Sequence, residues 1–310
     1  MKQTLQISKQ GNKLLTFLAI SLIFLSACDK PCVNCKDSYT KQRTIRQITH
    51  YDAGKVLKEK FTFFYRESLI DSIVKVNYTG AGPGDDSIII HLKTFYQGST
   101  CIPSSYEAKA YVTGSPASVE KAFLTADGSS IINKHIAFYP DENFLVVNKT
   151  ADIDYAHNGI GNVVTRNGTD YHILIYPNRY SNENTYTYTG DNITKVVAQK
   201  EQAGYNLTNT FDTNPNPFNM QGGVLYYLLL ASYPDEEYFE TICLNRNNPV
   251  TMVYTGTDTS NTSVKTTFTF TYVYDSGNYP AKVALYEATE DAVHGNTETD
   301  HGTYQFTYYE

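Results

Sequence analysis

Tryptophan is absent from the 310 residues and methionine occurs three times, so any core must be built from tyrosine, phenylalanine and aliphatic side chains. Cations are also short: 25 Lys and Arg stand against 32 Asp and Glu, for a net charge of −7. Gripping a phosphate backbone needs a cationic surplus on some face, which argues against a nucleic-acid partner. The longest clean apolar run, Leu14 to Leu25, falls short of the roughly 20 residues a transmembrane helix needs. Missing too are G-x-S-x-G, H-E-x-x-H, P-loop and dinucleotide fingerprints, each of which belongs to a strand-to-helix setting. The expectation is a chain that is not an enzyme and needs no cofactor, with no catalytic or metal-binding residue assigned.

What is present begins with Lys2, Lys9 and Lys13 ahead of that apolar run, the order of a secretory signal. The run ends in Leu25-Ser26-Ala27-Cys28. Small residues directly before a cysteine resemble the lipobox of bacterial lipoproteins, in which the thiol receives diacylglycerol, the chain is cut before it, and the new amine is acylated. The resemblance implies a signal peptide over residues 1–27, lipid attachment such as palmitate at Cys28, and a lipidated tether over residues 28–43. Two or three acyl chains together give a stable membrane anchor, where one holds only reversibly.

Behind the tether, residues 44–310 read as a single β-rich domain, a length that one sheet protein can fill. The 27 Tyr and 15 Phe, with many Thr, suit a pleated and half-buried surface. From Thr266 to Tyr274, Phe268, Phe270, Tyr272 and Tyr274 fall on one face and Thr267, Thr269, Thr271 and Val273 on the other, because side chains alternate along a strand. The aromatic face is the one expected inside. Tyr186 with Tyr188, then Phe61, Phe63 and Tyr65, and finally Tyr304, Phe306 and Tyr308, repeat the scheme. Tyr188 to Val196 lines up with Tyr274 to Val283, and Tyr65 to Val74 is a weaker copy: an aromatic strand, a Gly or Asn turn, and a return strand. Asn214-Pro215-Asn216-Pro217-Phe218 breaks the pattern, since prolines remove ladder donors. The apolar run Val224 to Leu230 that follows fits a short helix or a buried strand equally well. The fold class expected is all-β: a large antiparallel up-and-down sheet curling into a barrel or half-barrel, with at most one or two short helices.

Candidate chemistry is sparse. Cys32, Cys35, Cys101 and Cys243 remain for an oxidising compartment, where four cysteines allow three pairings. The C-x-x-C of Cys32 and Cys35 lies in a tether and not at a helix start, so a structural role is expected. Gly80 to Asp86 is glycine-rich but lacks the Lys and Ser/Thr of a phosphate cradle. Asp152, Asp154, His157, Asn158 and Gly159 open like a calcium loop, yet Ala156 occupies the fifth position and no Glu the twelfth. Asp291, His294, Glu298, Asp300 and His301 crowd what reads as a loop between the last two strands, and a solvated loop is the simpler account than a metal site.

The tyrosine-rich strands with Gly/Asn turns, the Asn-Pro-Asn-Pro-Phe loop and the later Asn247-Asn248-Pro249 together resemble an uncharacterised lipoprotein family of Bacteroidetes-type bacteria, a domain of unknown function with a porin-like β fold. The likeness covers residues 44 to 310 and implies a curled antiparallel sheet without catalytic residues to carry over. It also favours the outer membrane as the location within the cell envelope. Asp29, which resembles an inner-membrane retention signal of enterobacteria, points the other way. The first expectation for function is a membrane-anchored lipoprotein binding an extracellular or envelope ligand: a glycan, a peptide or a partner protein. The rival is a carrier of a lipid or other hydrophobic ligand inside the curled sheet, covered by the segment around residues 214–230. A glycan-acting hydrolase ranks behind both.

Overall fold

The computed structural model describes residues 43–66, 69–78, 87–97, 102–112, 115–128, 130–140, 147, 149–172, 179–200, 204–219, 224–229, 242–257, 262–291, 293 and 295–309. The first eight strands are β1 (Ile45–Tyr51), β2 (Leu57–Arg66), β3 (Leu69–Tyr78), β4 (Ser87–Phe95), β5 (Ser105–Val112), β6 (Ser115–Asp127), β7 (Ser130–Tyr139) and β8 (Lys149–His157). The second eight are β9 (Val163–His172), β10 (Arg179–Thr189), β11 (Asn192–Lys200), β12 (Tyr205–Pro215), β13 (Asn247–Thr257), β14 (Ser263–Tyr274), β15 (Pro280–Asp291) and β16 (Thr297–Tyr308). Each pairs antiparallel with its neighbours in sequence, and β16 returns to β1, so the sheet closes into a sixteen-stranded barrel. Lys41–Glu310 is one compact unit that contains every described strand and the whole buried cluster.

Alternation decides which face is inside. On β12, Tyr205, Leu207 and Asn209 are buried while Asn206, Thr208 and Thr210 are exposed; on β10, Asn184 and Tyr186 are buried between exposed Glu183, Thr185 and Thr187. The ladder carries the inner face from strand to strand, as in Tyr186 opposite Val196, Val196 opposite Leu207 and Leu207 opposite Tyr254. The inward rows of Phe and Tyr expected from the sequence are the lining of the barrel.

An up-and-down barrel puts its connections alternately at two rims. One rim carries the β2–β3, β10–β11 and β14–β15 hairpins, together with the start of β1 and the end of β16. Register shifts mark the approach to these three turns, at Phe64/Tyr65, Thr187/Tyr188 and Val273/Tyr274. A bulge adds right-handed twist and bends its strand, so the repeated aromatic-turn unit is also what coils the sheet towards closure. Gly190 and Asn278 take the left-handed conformation in two of the turns, with φ of 61° and 62°, where only Gly is free of strain and Asn tolerates it.

The same rim carries the long connection from β12 to β13. Its described residues contain a 3-10 turn at residues 217–219, helix α1 (Val224–Leu229) and a further helical turn at residues 242–244. Barrels of 16 to 18 strands are too wide for their own side chains to fill. Here chain fills part of the space: Leu225, Tyr226, Tyr227 and Leu228 are buried, and they join the inward residues of the wall in one cluster. The run from Val224 is therefore a helix whose apolar residues show no period, because it is surrounded on all sides.

Candidate functional site

The plug leaves a cavity of ≈ 360 Å³ within the barrel. Phe61 and Phe63 of β2, Ile73 of β3, Phe268 and Phe270 of β14 and Phe306 of β16 form much of its wall, and Phe218 and Leu228 of the β12–β13 connection close one end. Phe218 meets Phe306 edge to face with ring centroids 5.8 Å apart, a favoured aromatic geometry. Tyr272 turns its ring to the cavity while its hydroxyl donates to the carbonyl of Pro249 at 2.8 Å. Burial, then the neighbouring Tyr274 and Asp212, push the Tyr272 phenol well above its ordinary range. This aromatic stretch of the wall is thus apolar where it faces the space, with the Tyr272 hydroxyl directed elsewhere.

The Asn-Pro-Asn-Pro-Phe segment is the clamp on this plug. The side-chain amide of Asn216 donates to the carbonyls of Ile242 at 2.5 Å and Asn245 at 2.8 Å, and its oxygen accepts from the Phe218 N–H at 2.9 Å. One residue therefore ties both ends of the connection together. Across the lumen Lys134, fully buried on β7, donates from Nζ to the carbonyl of Tyr227 at 3.0 Å and lies 5.2 Å from the centre of the Tyr106 ring. The last carbonyls of a helix lack partners within it, and a cation there also suits the helix dipole. The Tyr106 hydroxyl in turn donates to Glu120 at 2.6 Å. Burial and then Glu120 raise the Tyr106 phenol, so it stays protonated as that donor.

A second polar group sits at the opposite end of the cavity. Glu59 of β2, Lys75 of β3 and His301 of β16 line it. Lys75 Nζ lies 3.1 Å from Glu59 Oε1, and His50 Nε2 donates to the His301 carbonyl at 2.6 Å. His301 Nε2 is 2.7 Å from Glu287 Oε2, while the His50 ring stacks on Tyr304 with centroids 4.3 Å apart. Burial works to raise the Glu59 carboxyl, but the hydrogen bond with His50 and the charge of Lys75 outweigh it and hold the group below its ordinary range. Burial likewise works to lower His50, and its bonds to Glu59 and the His301 carbonyl raise it overall.

The residues singled out from sequence are distributed differently. Asp291 ends β15, and Glu298, Asp300 and His301 lie within β16 and not in a loop as expected; the strands run further than their polar composition suggests. Among the described residues no three His, Cys, Asp or Glu side chains gather as a metal site would require. Asp152 and Asp154 belong to β8, where they pair with His135 at 2.7 Å and Asn133 at 2.8 Å on β7, so the calcium-loop reading gives way to cross-strand contacts. His157 reaches the Tyr227 hydroxyl at 3.4 Å, and Asn158 forms the turn that follows β8. Cys243 is buried in the plug connection. The lipid-attachment residue Cys28, together with Cys32, Cys35, Cys101, His294 and the stretch from Gly80 to Asp86, lies outside the described residues.

Sequence reasoning passed over His50, Glu59, Lys75 and Lys134. A signal was available: each stands two residues from an inward apolar neighbour, namely Ile48, Phe61, Ile73 and Ile136, so each charge has the parity of the buried face.

No family model and no curated protein matches the chain. Among solved structures, a porin-like protein from Bacteroides uniformis is similar at 13% identity and a TM-score of 0.53, covering 86% of this chain and 99% of that one. A second porin-like protein, from Bacteroides vulgatus, covers the same shares at 11% identity and a TM-score of 0.42. This chain shares the fold of the first.

Proposed function

We propose that this chain is a cell-envelope lipoprotein, anchored in the outer membrane through acyl groups on Cys28, whose barrel carries a hydrophobic ligand in its lumen. The observation that carries the reading is the apolar cavity of ≈ 360 Å³ lined by aromatic walls and bounded at one end by a clamped plug. Ligand cavities commonly run from roughly 300 to 1,000 Å³ with mostly apolar linings and a few placed polar groups, and this one has both features. The lumen is preferred to a glycan or peptide site on the outer surface because the aromatic rows that would stack on a sugar point inward. Binding is proposed and not catalysis: Glu59 and Glu287, the carboxylates beside the cavity, are engaged by Lys75 and His301.

A channel through the membrane is disfavoured by the wall itself. A membrane-spanning barrel turns an apolar band of about 25 Å to the lipid and polar residues inward, and a charge at mid-bilayer costs about 2–4 kcal/mol. Here the order is reversed, with Lys265, Thr267, Thr269 and Thr271 outward on β14 and Phe268, Phe270 and Tyr272 inward. Outward apolar side chains are scattered: Phe64, Phe95, Phe123 and Val273 lie towards the plug rim, Val112 and Val293 at the other rim, and Tyr286 midway along β15.

Native mass spectrometry of the protein after mild extraction tests the carrier reading. An apolar adduct released on collisional activation is expected; a uniformly empty protein that also takes up no added hydrophobe would overturn it.

A further inference from the structure

The chain enters the barrel at the rim that carries the plug. Arg43 pairs with Asp275 of the β14–β15 turn at 2.5 Å, and the Tyr309 N–H donates to the Thr44 carbonyl at 3.0 Å, so the first residues of the domain are tied to that rim. Outward apolar side chains, scattered around the circumference, are unevenly divided between the two ends. At the plug rim Phe64, Phe95, Phe123 and Val273 are joined by Ile132 near the start of β7, Ile160 in the turn after β8 and Tyr309 past the end of β16, against Val112 and Val293 at the far rim. Phe95 and Phe123 flank Ser105 in one cross-strand row. Ile160 is 71% exposed in a turn that the Asn158 side chain holds, accepting from the Ile160 and Asn162 N–H groups at 3.1 and 3.0 Å. One exposed apolar residue needs no explanation; their gathering at the end where the chain enters does.

Resting on the reading that Cys28 is acylated, we propose that the barrel stands on the bilayer by its plug rim, with Phe64, Phe95, Phe123 and Ile160 set among the lipid headgroups and upper acyl chains and the far rim turned away. Residues 28–42 lie between the acylated cysteine and Arg43, at most ~50 Å of extended chain. The plug rim meets the membrane at any fraction of that length. The far rim requires the tether to run back the height of the barrel, roughly 30 Å for strands of 12 residues such as β14 at the usual barrel tilt. Charge favours the same end. Asp71, Asp191 and Asp275 at the plug rim are matched by Lys93, Arg246 and Arg43. At the far rim the ends of β15 and β16 bear Glu290, Asp291, Glu298 and Asp300, with Lys265 against the first, and an anionic leaflet repels them. Rings so few do not hold the barrel at a membrane; the acyl chains do that, and the rings decide which end faces the lipid. In this orientation the plug end of the cavity, at Phe218 and Leu228, adjoins the source of a hydrophobic ligand.

The chain contains no tryptophan, so a single introduced indole reports one place. Phe64→Trp and Ile160→Trp, on well-separated sides of the plug rim, and Val112→Trp and Val293→Trp at the far rim can each be made in the lipidated full chain and reconstituted into phosphatidylcholine–phosphatidylglycerol vesicles with and without brominated acyl chains. Phe64→Trp and Ile160→Trp should lose roughly half of their indole emission to the brominated lipid, because interfacial side chains sit at the boundary of headgroups and acyl chains; the far-rim pair should keep theirs. If the far-rim indoles are quenched as strongly, or if either plug-rim indole keeps its emission while the wild-type chain floats with the vesicles in a density gradient, the orientation fails and the anchor stands. If the wild-type chain does not float, anchor and orientation fail together.

Discussion

Single residues show how little room the barrel leaves for substitution where strands bend. Gly302 on β16 has φ of 81°, and its N–H donates to Asp300 Oδ1 at 2.7 Å. A Cβ there would stand 2.0 Å from the carbonyl oxygen of Tyr51. Backbone on the neighbouring strand cannot swing aside as a flexible side chain can, so Gly302→Ala combines a left-handed conformation with a steric collision. The expected loss is roughly 2–5 kcal/mol, read as a lowered urea midpoint, or as failure to recover folded protein. The sequence gives no hint of this glycine's importance, because the clash is with residues 250 positions away. By contrast the inward aromatics Phe268, Phe270 and Tyr272 were legible, since alternation along one strand is a local property. The lumen charges fall between these cases: Glu59 and Lys75 had inner parity, but Glu59 within Lys58-Glu59-Lys60 and Lys75 between Val74 and Val76 read as outward-facing until their cross-strand partners are known.

At the scale of elements, the plug is held by polar clamps more than by helix propensity. A six-residue helix is far too short to persist alone, and α1 depends on Lys134 at its Tyr227 carbonyl and on the Asn216 clamp that ties the two ends of its connection. Removing the Asn216 side chain strands the carbonyls of Ile242 and Asn245 and the N–H of Phe218. Leaving buried groups without partners costs about 1–3 kcal/mol each, and partial relaxation brings the expectation for Asn216→Ala to roughly 2–4 kcal/mol. Hydrogen exchange would locate the effect: the amides of Leu225 to Leu228 should lose protection first, before those of β14 and β15. The composition of the Asn-Pro-Asn-Pro-Phe stretch marked it as a break in the sheet, and the break comes after Pro215, since Asn214 and Pro215 still belong to β12 beyond a register shift. Its role as a clamp was hidden, because the carbonyls it binds lie more than twenty residues downstream.

At the scale of the whole molecule, the barrel presents mainly Thr, Asn, Lys and Glu to its surroundings, with single outward rings such as Phe64, Phe95 and Phe123, so membrane association is expected to depend on the lipid and not on the wall. In a detergent phase-separation assay, residues 41–310 should enter the aqueous phase and the lipidated full chain the detergent phase. A Cys28→Ser chain expressed in a bacterium with lipoprotein processing should incorporate no labelled palmitate. Aqueous partition of the wild-type chain would refute the anchor, and detergent partition of residues 41–310 would refute the polar wall. The antiparallel sheet and its curl were foreseeable from aromatic strands joined by tight turns. Closure was not, since nothing local to β1 or β16 names the other as its partner.

That seam sets the order in which the protein can be completed. His50 meets the His301 carbonyl across 251 residues, and the Tyr309 hydroxyl meets Phe63 across 246. Joining ends so distant costs only ~3 kcal/mol more than closing a ten-residue loop, so the penalty lies in waiting and not in energy. The earliest strand to emerge keeps a raw edge until the latest arrives. A chain cut short before Thr297 offers two such edges, on β1 and β15, as templates for pairing with other chains. Fragments, and not the finished molecule, are where aggregation begins.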